Sequence, residues 1–409
     1  MMKAQPKRLW TTGALIVTLG LALAIGWSYW LGDQRSGWKD GDWTSAGSSE
    51  AIQKALDQET RANTNIPGQI LYVRAPSLKL DQTWVAGPDL RVDDDVRVAS
   101  NTKTFVAAMA LMLVEEGAHK LDAPIGPYVS PKVRDMLSAN GYGLDTITLR
   151  QLLSHTSGIP DYFGVALFEF LALVPNAYGL SAHWTPETEI WFALTFGQKA
   201  EPGETFAYSD TNYLIAADMI NVATKAPNIG VAARNLLQWQ KLGADETYWE
   251  ALEPEPKDTR RTAQFRGGIR DSAVDVSYDQ YGGGGLVMSM DDLGLATRAV
   301  VLGQVFKDPA RSIKLMQTAG PDASAAGYGL GLEPITLAGE TCWGHGGFWG
   351  TAAFHCPRLD ITIARSVGQA NARYDMAIES GPLAHLIARA QAVERAGLAI
   401  RGQQKGPPR

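Results

Sequence analysis

Phe105 to Val114 is an unbroken apolar run. Apolar on every face, it reads as a buried helix, with Gly117 as its C-cap after Glu115 and Glu116. Ser48 to Arg61 has the pattern of a serine-capped helix. Gln69 to Val73 and Gln82 to Val85 alternate like strands around a Pro/Ser/Asp turn. Ile147 to Leu153 leads into a turn-rich loop, Ser154 to Asp161. Phe163 to Val174 is apolar enough to be core, and Asn212 to Thr224 reads as helical. Tyr281 to Gly285 carries four glycines before an apolar strand, and a hairpin follows over 342–367. Pro382 to Ala396 reads as a closing helix, with proline in its first turn and Gly397 just past its end. Strands near both ends and helices between them predict an α+β fold. An antiparallel sheet is flanked by N- and C-terminal helices, with a mostly helical insertion over roughly 118–275.

Ahead of this pattern lies another one. Lys3, Lys7 and Arg8 precede Leu9 to Leu31, which contains no charged residue. That length suits a bilayer core, and the basic flank predicts a cytoplasmic N-terminus with the remainder exported. Ala22-Leu23-Ala24 fits a signal-peptidase site, which would release a secreted protein. The apolar run continues past it, however, and Trp27, Tyr29 and Trp30 suit an aromatic belt. The expectation is therefore one N-terminal transmembrane helix holding the rest at the inner membrane, on its periplasmic or extracytoplasmic side. The expected organisation is 1–32 as anchor or signal peptide, 33–49 as linker, 50–400 as one domain and 401–409 as a disordered tail.

Net charge changes little except to exclude a class. At -6 the chain is a poor partner for nucleic acid. Its two cysteines, Cys342 and Cys356, lack zinc-site spacing, and no metal or organic cofactor is implied. A three-residue hairpin loop at Phe348 to Gly350 sets Gly347 opposite Thr351 and Cys342 opposite Cys356. This register predicts a cross-strand disulfide in an exported chain.

The candidate chemistry starts where the buried helix starts. Ser100 and Lys103 are three residues apart, so on a helix they lie on one face. An amine within reach can activate a serine hydroxyl, and burial favours its neutral, basic form. Free N–H groups at the helix start suit developing negative charge. By itself Ser-x-x-Lys more often marks a solvated serine and a surface lysine. Tyr208, in Tyr208-Ser209-Asp210, and His345, in His345-Gly346-Gly347, are equally ordinary when taken singly.

Together they are not. Ser-x-x-Lys, Tyr-x-Asp and His-x-Gly occur in that order, with Ser154-His155-Thr156-Ser157-Gly158-Ile159-Pro160 and Tyr281-Gly282-Gly283-Gly284-Gly285 between them. From about residue 50 to 370 the chain resembles the serine β-lactamase-related family. That family includes class C β-lactamases, D-alanyl-D-alanine carboxypeptidases, D-aminopeptidases and esterases of similar fold. The resemblance implies Ser100 as acylated nucleophile, Lys103 as its proton partner and Tyr208 as second acid–base group. His345 would stand at the lysine of K-T-G, Gly347 and Phe348 would line the substrate, and the Ser100 and Phe348 N–H groups would form an oxyanion hole. His155 and the glycine run match positions that look structural.

Two positions depart from the family pattern. Asp210 stands where asparagine is common, with Asn212 two residues further along. An ionised carboxylate cannot donate to a substrate carbonyl as an amide can. His345 would meet a substrate carboxylate with positive charge only near or below pH 6.5. The resemblance implies an exported serine hydrolase acting on peptidoglycan-type D-Ala peptides. The alternatives are an esterase for small acyl esters or a non-catalytic cell-wall sensor.

Overall fold

Strands from the two ends of the chain meet in one sheet, and this brings Ser100 and His345 together. The computed structural model describes residues 38–45, 47–173, 183–197, 199–266, 269–318, 327–370 and 381–404. The expected anchor or signal segment, 1–32, and the tail residues 405–409 lie outside them. Among the described residues no helix is long and apolar enough to cross a membrane.

The main strands are β1 (Gln69–Ala75), β2 (Leu80–Ala86), β3 (Glu333–Leu337), β4 (Glu340–Gly347), β5 (Thr351–Cys356) and β6 (Ile361–Ser366). Their order is β2-β1-β6-β5-β4-β3, and every neighbouring pair is antiparallel. Eleven helices complete the elements named here. They are α1 (Ser49–Ala62), α2 (Thr102–Glu115), α3 (Pro131–Ala139), α4 (Leu149–Leu153), α5 (Ala166–Leu173), α6 (Pro186–Phe196), α7 (Asp210–Thr224), α8 (Ile229–Leu237), α9 (Met290–Val301), α10 (Pro309–Met316) and α11 (Pro382–Gln404).

Side chains alternate across a strand, so the sheet builds two cores. Leu71, Val73, Phe354 and Ile363 pack with Ile52 and Leu56 of α1 and Leu383 and Leu386 of α11. Ile70, Tyr72, Ala353 and Ala364 face the other way, toward α2, α9 and the helical lobe. Cover on both faces explains why β1 is apolar almost throughout. Helix α2 is the buried helix expected from its sequence: Lys103 to Leu111 are all buried.

The hairpin has the expected register, Gly347 opposite Thr351, with Gly350 in the left-handed region at φ 78°. Cys342 and Cys356 are joined in a disulfide on the α1–α11 side of the sheet.

Two expectations are corrected. The stretch read as a linker at 33–49 contains Trp43, which is fully buried. Its indole Nε1 donates to Glu59 Oε2 at 2.7 Å, and Glu59 also pairs with Arg365. A Gly/Ser-rich composition hid one aromatic anchor. The last helix does not stop at Gly397 but continues to Gln404, so the tail expected from residue 401 is partly helical. One interior glycine costs a helix only about 1 kcal/mol.

Candidate active site

The turn that carries Ser100 is built from contacts far apart in sequence. Val96–Arg97 pairs with Leu286–Met288, and the chain then tightens into a 3-10 turn, Ala99–Asn101, before α2. Ala99 sits at φ 47°, a left-handed conformation costing an L-residue roughly 1–2 kcal/mol. Neighbours hold it there. Asn101 Nδ2 donates to the Val98 carbonyl at 2.8 Å and to Thr351 Oγ1 at 3.1 Å. Thr351 Oγ1 in turn donates to the Val98 carbonyl at 3.0 Å. Ser100 therefore stays partly exposed on a turn tied to β5.

Gly347 closes the same arrangement. A Cβ there would overlap the Val98 carbonyl and the Thr351 hydroxyl, and would crowd the Asn101 amide. Glycine is needed here because the protein's own Val98 carbonyl and the Thr351 and Asn101 side chains approach so closely. Its consequence is that the Phe348 amide emerges beside the Ser100 turn. The Ser100 N–H lies in the first turn of a helix, where amides have no intrahelical acceptor.

Lys103 is completely buried. Its Nζ donates to Ser100 Oγ at 3.0 Å and to the Gly283 carbonyl at 2.7 Å, and it forms an ion pair with Asp210. The ammonium lies 5.0 Å from the Tyr208 ring centre and 5.6 Å from that of Tyr213. Asp210 is therefore corrected from a substrate reader to the partner of the lysine. Asn212, two residues on, faces elsewhere and accepts from Ser157 Oγ at 2.5 Å.

Tyr208 is hydrogen-bonded to the Ser100 side chain. Burial, and then the charge of Asp210, hold its hydroxyl well above the usual phenol range, outweighing the Ser100 bond. The group is a protonated phenol that can pass a proton on, not a standing phenolate. His155 positions it: the two rings lie 4.2 Å apart, and His155 Nδ1 accepts from the Ser209 amide at 3.1 Å.

His345 departs from its expected charge. Burial, with the charge of Lys103 adding to it, depresses its pKa to about 3, so the ring is neutral throughout the physiological range. Its Nδ1–H donates to the Gly346 carbonyl at 2.6 Å, which leaves Nε2 to accept from the Tyr328 hydroxyl at 3.0 Å. The expected positive hand for a substrate carboxylate is absent at this residue.

Two further acids, Asp161 and Asp279, crowd the lysine's partner. Burial first, and the charge of Asp210 second, raise both. The Asp161 carboxylate accepts the Asp210 and Phe163 amides, each at 3.1 Å. A folded pKa raised above the unfolded value of about 3.9 gives stability that is intact below that value. It is lost as pH rises toward the folded pKa. Asp161→Asn keeps the acceptor and removes this dependence. Its melting temperature is expected to match the wild type near pH 4 and to exceed it by about 2 °C or more near pH 8. Calorimetry across that range checks it.

Ser100, Lys103, Tyr208, Asp210, His345, Gly347 and Phe348 are thus gathered in one place. Sequence reasoning missed the Gly283 carbonyl, Asp161, Asp279 and Tyr328. Only proximity to motifs signalled them: Asp161 ends the Ser154 loop and Asp279 precedes the glycine run. Among the described residues no group of His, Cys, Asp and Glu is arranged to hold a metal ion.

A family model described as beta-lactamase matches residues 81–376. The chain belongs to the beta-lactamase family. Its fold is the β-lactamase fold. It is 26% identical to the D-alanyl-D-alanine-carboxypeptidase/endopeptidase AmpH of Escherichia coli K12 over 209 residues, 50% of this chain. The match spans 48% of AmpH, so the chain covers about half of that relative's length. Esterase EstB of Burkholderia gladioli is 27% identical over 340 residues, 73% of this chain and 82% of EstB. Among solved structures, a D-stereospecific amidohydrolase from Streptomyces sp. is similar with a TM-score of 0.67 and 26% identity. That match covers 83% of this chain and 97% of the other. The D-amino acid amidase of Ochrobactrum anthropi SV3, at 20% identity and a TM-score of 0.64, shares the fold; the match covers 83% of this chain and 99% of that one.

Proposed function

We propose that this β-lactamase-family hydrolase cleaves small acyl esters through an acyl-enzyme on Ser100. One observation carries the reading: a fully buried Lys103 whose Nζ lies 3.0 Å from Ser100 Oγ. In acylation the proton shared by the Lys103–Asp210 pair rests on Asp210, so the neutral Lys103 amine accepts the Ser100 proton as Ser100 Oγ bonds to the substrate carbonyl carbon. Tyr208, bonded to Ser100, relays that proton onward. The N–H groups of Ser100 and Phe348 stabilise the oxyanion. Collapse breaks the bond to the leaving alcohol, which takes the proton. Water then repeats the sequence, releasing the acid and restoring Ser100.

The preference for esters rests on charge. The basic groups beside Ser100 are Lys103, paired with Asp210, and a neutral His345. Arg266, over the Phe348 ring at 5.1 Å, pairs with Glu169. A D-Ala peptide ends in a carboxylate and would find none of these unpaired and charged. The similarity to AmpH favours the carboxypeptidase as second reading. A panel of p-nitrophenyl butyrate, a D-Ala-D-Ala peptide and a chromogenic cephalosporin separates them. Fast ester cleavage with little peptide release is expected; D-Ala release outrunning ester cleavage would reverse the order.

We place the domain outside the cytoplasm, tethered by the apolar segment from Leu9 to Leu31. The basic flank before that segment and the Cys342–Cys356 bond, which reducing compartments disfavour, support this location. N-terminal sequencing of the exported protein tests it.

A further inference from the structure

Glu333 opens β3 opposite Gly344, one residue before His345 on β4. Neither its position nor its type belongs to the motifs that mark the site. Its Oε1 lies 3.9 Å from His345 Nε2, and its carboxylate accepts the Gly346 amide. The side chain is 24% exposed, so beside the buried His345 it still reaches solvent.

We infer that Glu333 sets the charge selectivity of this site, disfavouring substrates whose leaving group carries a carboxylate and favouring those with a cationic one. The inference rests on the acyl-enzyme reading above and adds the substrate class. The groups around Glu333 leave its charge uncompensated. From β4 it faces His345, which is neutral. The loop before β3 contributes Tyr328, and the one before α7 contributes Tyr208; both are phenols pushed upward in part by Glu333 itself. Lys103 of α2 attracts it but is already paired with Asp210. A charge in such a partly desolvated site acts on a substrate charge far more strongly than in bulk water.

Burial raises Glu333 to about 7, against the opposing pull of Lys103 and the Gly346 amide. Selectivity should therefore switch with pH. Below neutrality the carboxyl is protonated and a substrate carboxylate is tolerated; above it the carboxylate repels. His345 does not titrate in this range, so it does not produce the same change.

Three butyryl thioesters of similar size test this, with thiol release as the readout. Their leaving thiols are thiocholine, mercaptoethanol and mercaptopropionate, hence cationic, neutral and anionic. Each kcat/KM is divided by that of the neutral thioester for the same protein at the same pH. In the wild type the cationic-to-anionic ratio is expected to grow by about tenfold or more from pH 5.5 to pH 8.5. Glu333→Gln should flatten that growth, and Glu333→Lys should favour the anionic thioester. A wild-type ratio that stays flat across pH would overturn the inference whatever the variants do. So would an undiminished switch in Glu333→Gln. The two readings fail differently: no turnover of any thioester and no labelling of Ser100 defeats the acyl-enzyme itself. Turnover of the neutral thioester with a flat ratio defeats only the role of Glu333.

Discussion

Ser100→Ala is expected to lower turnover of every substrate by about 10⁴-fold or more and to abolish labelling by a fluorophosphonate or penicillin probe. In the proposed acyl-enzyme route the serine oxygen forms the covalent bond, and no neighbour can replace it. Lys103 is buried and held by Asp210 and the Gly283 carbonyl, while Tyr208 is a protonated phenol. The variant should fold normally. The hydroxyl is partly exposed, and the turn is secured by Asn101 and Thr351 rather than by Ser100 itself. Intact-mass spectrometry with and without the probe, alongside esterase assays, checks both halves. Turnover retained by the variant would remove Ser100 from the chemistry. A wild-type serine that is labelled but never turns over would instead support a sensor.

Gly347→Ala should give the second large effect, from a residue with no reactive atom. The added methyl meets the Val98 carbonyl and Thr351 hydroxyl, both fixed by hydrogen bonds to each other and to Asn101. Strand β4 and the Ser100 turn must therefore move apart. Overpacking of this kind costs about 1–3 kcal/mol of stability. A shift on the order of 1 Å between nucleophile and Phe348 amide should lower kcat about 10²-fold. Gly339→Ala separates the two effects. Gly339 also has a positive φ, 79°, but faces open space in the β3–β4 turn. That variant should lose stability by about 1 kcal/mol and keep its activity. Equal kinetic losses in both would mean that Gly347 matters only for folding.

Local features were legible before any fold was known. The Ser100–Lys103 pair follows from helical spacing, and the buried helix behind it from an apolar run without a polar face. The hairpin register, which sets Cys342 opposite Cys356, follows from a three-residue turn ending in glycine. Each depends on neighbours within a few residues or on a strict period. Less legible were residues whose meaning depends on what surrounds them. Trp43 lies in a polar, glycine-rich stretch that gives no hint of burial. Gly397 looks like a helix stop, yet its modest cost did not end the helix. Asp161 and Asp279 are ordinary acids until folding sets them around Asp210.

The sequence by itself set Ser100 and Lys103 on one helical face and determined the class of fold, because spacing and hydrophobic period are properties of the chain. Only the tertiary structure decided the electrostatics. It paired Asp210 with Lys103, made His345 neutral, and left Glu333 beside the site near its titration point. Those outcomes come from desolvation and from charges brought together across more than a hundred residues of chain, and neither is written in local order.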